Sequence, residues 1–259
     1  MLAALEVQGR VIKALFLREM KTRFGDKRMG FAWAFLEPAI HVFLIIGLWK
    51  FLGRMGPQGI DPILFLITGI IPYTMFVNIM NKVMNSLAGN RALMVFPQIQ
   101  VIDFVISRIV VELATYMSVF IIFVIGCRYV GYEFEVEYPL GVMINFVLIA
   151  LVGGGIGFIL MPLLSIVRFL EHVVKLFQRV IYLTSGVFFS VERLPHEAQS
   201  YLEWNPMLQL LHGIRADFFY QMPLNPRFND PEYVVFLIMS LWVFGIVLTK
   251  KLFRYVIED

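Results

Sequence analysis

Six long apolar stretches, separated by shorter charged or polar segments, organise this chain. They run near 34–53, 63–84, 101–126, 140–167, 173–191 and 233–252. A helix needs about 20 mostly apolar residues to cross a bilayer. The second stretch contains ILFLITGIIPYTMFV, the fourth MINFVLIALVGGGIGFILMPLL and the sixth YVVFLIMSLWVFGIVL. The fifth is the weakest, because Lys175, Gln178 and Arg179 sit in its first half. The pattern predicts an all-α, polytopic membrane protein with six transmembrane helices in one domain, 1–259. Spans one to five occupy 34–191, span six occupies 233–252, and a tail follows at 253–259.

The segments between the spans have their own periodicity. In residues 8–24, Ile12, Leu15, Phe16 and Met20 share one side of a helical wheel. Arg10, Arg18 and Lys21 lie roughly opposite, with Lys13 and Glu19 on the flanks. This pattern predicts a loose amphipathic helix on the inner leaflet, within a cytoplasmic segment 1–33. The loop 85–100, NSLAGNRALMVFPQIQ, predicts a short helix exposing Leu87, Leu93, Met94 and Phe96. Such a surface either lies back on the membrane or docks into a partner's groove. The largest outer segment, 192–232, is too short for an independent domain. Its apolar positions 207, 208, 210, 211, 214 and 218 repeat at helical spacing after Pro206. Two short re-entrant helices broken at Asn205-Pro206 are expected, because irregular backbone at membrane depth survives only where protein or a wet cavity satisfies it.

Composition excludes the soluble classes. The 259 residues are 59% hydrophobic and 16% charged, with a mean hydropathy of +0.76, against about 45–50% and about 25% in ordinary soluble domains. Cys127 is a single cysteine, so no internal disulfide scaffold exists. Lys and Arg set the orientation. Arg10, Lys13, Arg18, Lys21, Arg23, Lys27 and Arg28 precede the first span. With that end inside, the inner segments add Lys82, Arg91, Arg168, Lys175, Arg179, Lys250, Lys251 and Arg254. The outer ones hold Arg54, Arg128, Arg193, Arg215 and Arg227. Both termini are therefore expected in the cytoplasm. The long charged stretch before the first apolar run, without a small-residue cleavage site, does not read as a signal peptide. The net charge of +3 is too mild to argue for nucleic acid.

Catalytic motifs are missing from the sequence. There is no GxxxxGK[ST], HExxH, GxSxG or CxxC. His41, His172, His196 and His212 fall in separate segments without ligand spacing. The alternating Glu133, Glu135 and Glu137 read as a solvated turn. In the third span Arg108 and Glu112 are four apart and can pair on one helix face. Gly153, Gly154, Gly155 and Gly157 permit close helix contact. Tyr182, Phe188, Phe189, Tyr201 and Trp204 gather near the outer end of the fifth span, where amphipathic rings suit sugar faces or plain packing.

The string LFLREMKTRFGDKRMGFAWAFLEPAI, with Arg18-Glu19, Arg23-Phe24, Gly30, Trp33 and Leu36-Glu37-Pro38, resembles the start of ABC-2 type exporter permeases, especially those for capsular polysaccharide. The similarity continues in GIIPYTMF at 69–76, through Asn90 and Pro97, and in YLEWNPMLQLLHGIRADFF at 201–219. The resemblance implies a homodimeric permease that moves a lipid-linked polysaccharide across the inner membrane. It implies two copies of a separate ATPase, which uses the ATP and Mg, and no cofactor on this chain. It also implies a periplasmic adaptor and an outer-membrane channel. Substrate intake falls on Arg23, Lys27, Arg28 and Trp33. The path or outer gate falls on Tyr182, Phe188, Phe189, Tyr201, Trp204 and Arg215. ATPase coupling falls on Asn90, Arg91, Leu93 and Phe96.

Permeases for O-antigen or teichoic acid share the starting pattern. A membrane-embedded glycosyl- or acyltransferase would need a His or carboxylate constellation, and an ABC-2 permease for drugs or small lipids more often carries a larger outer domain. Single-cysteine labelling in a Cys127-free background tests the topology. A cysteine at position 204 is expected to react with an impermeant thiol reagent from outside only; reaction from the cytoplasmic side alone would contradict it.

Overall fold

The computed structural model describes residues 2–24, 29–53, 56–96, 98–222 and 224–257. Among them the regular structure is entirely helical. The α-helices are α1 (Leu2–Phe24), α2 (Met29–Phe51), α3 (Pro62–Met84), α4 (Val101–Val130), α5 (Pro139–Ile166), α6 (Leu170–Thr184), α7 (His196–Leu202), α8 (Pro206–Phe218) and α9 (Pro231–Ile257). Among the described residues four helical stretches are long and apolar enough to cross a membrane: Pro62–Met84, Val101–Val130, Pro139–Ile166 and Pro226–Leu252.

Helix α3 is the centre of the bundle. Phe65, Leu66, Ile67, Ile70, Ile71, Met75, Phe76 and Ile79 are all fully or almost fully buried. It begins cleanly because Asp61 accepts from the Ile63 backbone N–H at 2.7 Å and Pro62 stands at the first helical position. Helix α5 lies close against it through the glycines of the fourth apolar stretch. A Cβ at Gly157 would sit 2.8 Å from the Met80 carbonyl oxygen, and one at Gly153 would sit 3.0 Å from that of Phe76. The small-residue reading of this stretch is therefore realised as backbone-to-backbone packing within one chain. On the outer faces of α4 and α9, Ile121, Ile122, Ile125, Phe236, Met239, Val243 and Phe244 are exposed. In a bilayer that surface faces lipid.

Two elements differ from the sequence pattern. The fifth apolar stretch does not continue as helix to residue 191. Helix α6 has 15 residues, which at 1.5 Å per residue span roughly 22 Å, short of a hydrocarbon core about 30 Å thick. It ends where Ser185 caps back onto the Ile181 carbonyl at 2.6 Å and Gly186 takes a left-handed φ of +72°, which Gly adopts without a Cβ penalty. The apolar residues beyond, Val187, Phe188 and Phe189, are buried or half-buried as irregular chain. Hydropathy alone could not see the break. Second, 132–137 is extended, with Tyr132, Phe134 and Val136 turned half-buried towards the bundle and Glu133, Glu135 and Glu137 exposed. The solvated acidic edge is as expected, but its inner face packs: Phe134 stacks on Phe218 at 5.6 Å.

The expected helix after Asn205-Pro206 is α8, capped by the Asn205 side chain accepting from Met207 and Leu208 N–H at 3.0 and 3.4 Å. Nearly all of α8 is buried, against α3 and α5. Its C-terminal end is fixed to the start of α5 by Tyr138 N–H to the Asp217 carbonyl at 2.8 Å and by Asn145 Nδ2 to Asp217 Oδ2 at 3.0 Å. Burial pushes the Asp217 carboxyl up from its ordinary value, and the Asn145 hydrogen bond opposes that shift.

The break after α6 is held by Arg215 of α8, which is buried. Its Nη1 donates to the Gly186 carbonyl at 2.6 Å; its Nη2 donates to the Val187 carbonyl at 3.1 Å and to Phe65 at 3.4 Å. The guanidinium lies over the Phe65 ring at 3.7 Å. Leaving such carbonyls unpaired costs about 1–3 kcal/mol each. Gly69 of α3 leaves the necessary space, since a Cβ there would meet Arg215 Nη2 at 2.7 Å and the Val187 oxygen at 3.1 Å. Arg215→Met and Gly69→Ala are each expected to destabilise the protein by about 2 kcal/mol or more, read as a lower apparent melting temperature in detergent. An unchanged transition in both would show that the break is held by other contacts.

Candidate functional site

Two clefts lie along α2, the first between α2, α3 and α6 and the second between the end of α2, the loop after it and the chain beyond α6. The first, about 340 Å³, is lined by Glu37 and His41 from α2, by Tyr73, Thr74 and Val77 from α3, and by Lys175, Gln178, Arg179 and Tyr182 from α6. The second, about 450 Å³, lies at the other end of α2 and is lined by Trp49, Gly53, Gly56, Pro57, Phe188, Phe189, Ser190 and Arg193. The Tyr182 and Phe188 rings meet edge to face at 4.7 Å and bridge the two. Tyr182 also packs on Tyr73 at 4.6 Å. Together these form a groove with an aromatic floor and cations along its rim.

Hydrogen bonds fix the rings. The Tyr182 hydroxyl and His41 Nε2 are 2.7 Å apart. Tyr73 donates its hydroxyl to the Gln178 carbonyl at 2.5 Å, and Gln178 Nε2 donates to Asn81 Oδ1 at 2.8 Å. Buried hydroxyls need such partners, and each bond ties α6 to α2 or α3. Only Val174 and Gln178 of α6 are buried, so this short helix hangs on those few polar links. Its outward residues Val173, Leu176, Phe177, Val180 and Leu183 remain exposed. The groove offers flat amphipathic rings, an amide and cations, a set suited to a sugar chain with anionic groups. Among the described residues no group of three or more His, Cys, Asp or Glu could hold a metal.

The expected path residues separate in space. Tyr182, Phe188 and Phe189 line the groove. Tyr201 and Trp204 are exposed at 84% and 68% and stand apart from those ring contacts; Trp204 packs edge to face on Tyr233 of α9 at 5.8 Å. Arg215 faces no groove, because its guanidinium is spent on buried carbonyls. Expected at the path or outer gate, it is placed by its contacts as an anchor behind the Phe188 turn. Of the intake residues, Lys27 and Arg28 lie outside the described residues. Arg23 and Trp33 sit on the α1 and α2 backbones, with side chains outside the description.

The segment expected to meet an ATPase is a 3₁₀ helix, Ala88–Val95. Its side chains are less exposed than the sequence suggests. Leu87 is buried, Leu93 and Met94 are half-buried, and Phe96 is 56% exposed. Asn90 is buried rather than presented: it accepts from Arg18 of α1 and donates to the Ser86 carbonyl at 2.8 Å. The Arg91 side chain lies outside the description. Helix α1 packs on α4 with Leu15 inward and Ile12, Phe16 and Met20 half-buried, and Gln8 donates to Asp103 of α4. The amphipathic face of α1 is therefore partly used on protein. In the third apolar stretch, Glu112 pairs across helices with Lys82 of α3 at 2.8 Å. Arg108 instead donates to the Lys82 carbonyl. Both cations thus cross between α3 and α4, and these contacts between helices add to the charge attraction of Arg108 and Glu112 along one helix face.

His41, Trp49, Tyr73 and Gln178 were not singled out by sequence reasoning. A His in the first apolar stretch and the Lys175-Gln178-Arg179 set were the available signals, since polar groups at membrane depth usually face a bundle interior or a wet cavity.

Comparison with known proteins fits this architecture. Residues 10–219 match the family described as ABC-2 type transporter. The chain is 30% identical to the polysialic acid transport protein KpsM of Escherichia coli over 80% of each chain. It is 28% identical to the capsule polysaccharide export inner-membrane protein BexB of Haemophilus influenzae, over 96% of this chain and 93% of that one. It is also 28% identical to the inner-membrane protein CtrC of Neisseria meningitidis serogroup B, with the same coverage. The chain belongs to the ABC-2 type transporter family, and with its apolar helices it is a multi-pass inner-membrane permease.

A double-mutant cycle tests the groove's geometry. Tyr182→Phe leaves His41 without its partner and is expected to cost about 1 kcal/mol, seen in thermal unfolding. His41→Phe combined with Tyr182→Phe is expected to cost less than the two single changes summed; strict additivity would place the two side chains apart.

Proposed function

We propose that this permease exports a lipid-linked capsular polysaccharide across the inner membrane. The observation that carries the reading is the aromatic groove with cations at Lys175, Arg179 and Arg193. Relatives named for capsule polysaccharide export and polysialic acid transport support it. In this reading α2 and the α6 region complete six spans, both termini are cytoplasmic, and α7 and α8 re-enter from the periplasmic side. Two copies of the chain face each other, so that two grooves enclose one path. The exposed apolar face of α6 supports such pairing.

The mechanism follows from what the groove can do. A polymer must slide, so no site can hold one repeat strongly; each charge-assisted hydrogen bond contributes about 1.5–3 kcal/mol and would trap it. Ring faces bind sugar C–H surfaces with weak orientational demand, and Tyr73, Tyr182 and Phe188 supply a run of them. Lys175 and Arg179 attract anionic groups at the first cleft, and Arg193 does so at the second. Arg23, Lys27, Arg28 and Trp33 admit the lipid-linked end. The driving force comes from two copies of a separate ATPase, engaged through Phe96 and Leu93. Asn90 ties that segment to α1 through Arg18 and passes its movement inward. A periplasmic adaptor and an outer-membrane channel receive the glycan.

Export assays in cells test the reading. Tyr182→Ala and the pair Lys175→Glu, Arg179→Glu are expected to lower surface polysaccharide about fivefold or more, from an interaction loss near 1 kcal/mol per contact. Lipid-linked glycan should then accumulate inside while the complex with the ATPase stays intact. Wild-type surface levels in both variants would refute the groove as the path.

A further inference from the structure

A third cleft lies away from the groove, where α4 begins and α9 ends. It encloses about 470 Å³. Phe158 of α5, Ile102 of α4 and Ile246 of α9 give it an apolar wall. Gln100, Thr249 and Lys250 give it one polar corner, with no acidic residue in the lining.

Three features of that corner point to an anion. Thr249 is 9% exposed, and among the described residues its Oγ1 has no hydrogen-bond partner. A threonine in an apolar helix normally bonds back to the carbonyl four residues before it, as Thr115 does with Val111 at 2.7 Å. Thr249 instead leaves a buried donor lining the cleft. Beside it Lys250 is exposed and cationic. Gln100 and Val101 form the N-terminal end of α4, a helix of 30 residues closed by a capping box in which the Gln100 side chain accepts from the Asp103 N–H; the Val101 and Ile102 N–H groups of that first turn favour negative charge. Asp103, the nearest acid in sequence, is buried, and its carboxylate already accepts from the Gln100 N–H at 2.8 Å and from Gln8.

A free anion would use the corner and leave the wall empty. An apolar amphiphile without charge would use the wall and leave Thr249 unpaired. We propose that this cleft binds an anionic phospholipid of the surrounding leaflet. Its phosphate sits between Thr249, Lys250 and the α4 N-terminus, and one acyl chain lies along Phe158 and Ile246. The lipid ties α9 to α4 and α5, and its cleft shares no lining residue with the groove. This site requires only that the chain sits in a bilayer, so it stands apart from the reading of the groove.

The test uses the full-length permease, stripped of lipid in neutral detergent and titrated with defined lipids by native mass spectrometry. Phosphatidylglycerol is expected to be retained several-fold more strongly than phosphatidylethanolamine. Thr249→Val, which keeps the shape, and Lys250→Gln are each expected to weaken that retention about fivefold, the loss of roughly one hydrogen bond or charge contact. Lys50→Gln, on α2, should not weaken it. Ile246→Trp, which fills the cleft, should abolish the preference. Equal retention of the two lipids, unchanged retention in both corner variants, or displacement by millimolar inorganic phosphate alone would each overturn the proposal.

Discussion

A buried guanidinium makes this architecture possible. Irregular backbone inside an apolar bundle carries carbonyls that have no water to bond, and each must find a donor or the segment becomes helix or leaves the bundle. Arg215 supplies a planar fork to Gly186, Val187 and Phe65 together and spreads its charge over the Phe65 ring. A lysine could reach one of these oxygens but offers neither the fork nor the stacking surface. Because the break is held there, α6 stops short and the chain turns with Phe188 and Phe189 facing the second cleft. The aromatic floor thus depends on an anchor that touches none of its surface.

The same economy governs the polar groups at the Lys82 end of α3. Lys82, Glu112 and Arg108 would each be expensive alone at membrane depth. Lys82 pairs with Glu112 across the α3–α4 contact, and Arg108 donates to the Lys82 carbonyl. Asn90 extends the set to the 3₁₀ helix and α1. Rigid α3 connects this set to the groove, since Tyr73 and Asn81 lie on the same helix as Lys82.

Much of the helix order was legible in hydropathy, since a stretch such as 140–167 has one dominant solution in a membrane and folds as Pro139–Ile166. The α8 start was legible too, because Asn205-Pro206 combines a side-chain cap with a first-turn proline. The end of α6 was not: Val187 to Val191 are as apolar as the helix before them, and a long-range contact from Arg215 decides their path. Tyr182, Phe188 and Phe189 could be grouped by proximity in sequence. His41 and Trp49 could not join them, because their placement depends on how α2 packs on α3. That the Arg215 guanidinium holds backbone carbonyls depends on tertiary neighbours that its place in the sequence does not show. The buried contact of Asn90 is not legible for the same reason, its partner Arg18 lying in another helix.

Under the proposed function the exported chain passes over the Tyr182 and Phe188 rings. Photocross-linking during active export measures this directly, with a photoreactive phenylalanine analogue placed at 182 or 188 and, for comparison, at Phe236 on the lipid-facing side of α9. Glycan adducts that depend on ATP are expected at 182 and 188, and none at 236. Adducts at 236 with none at 182 or 188 would contradict it.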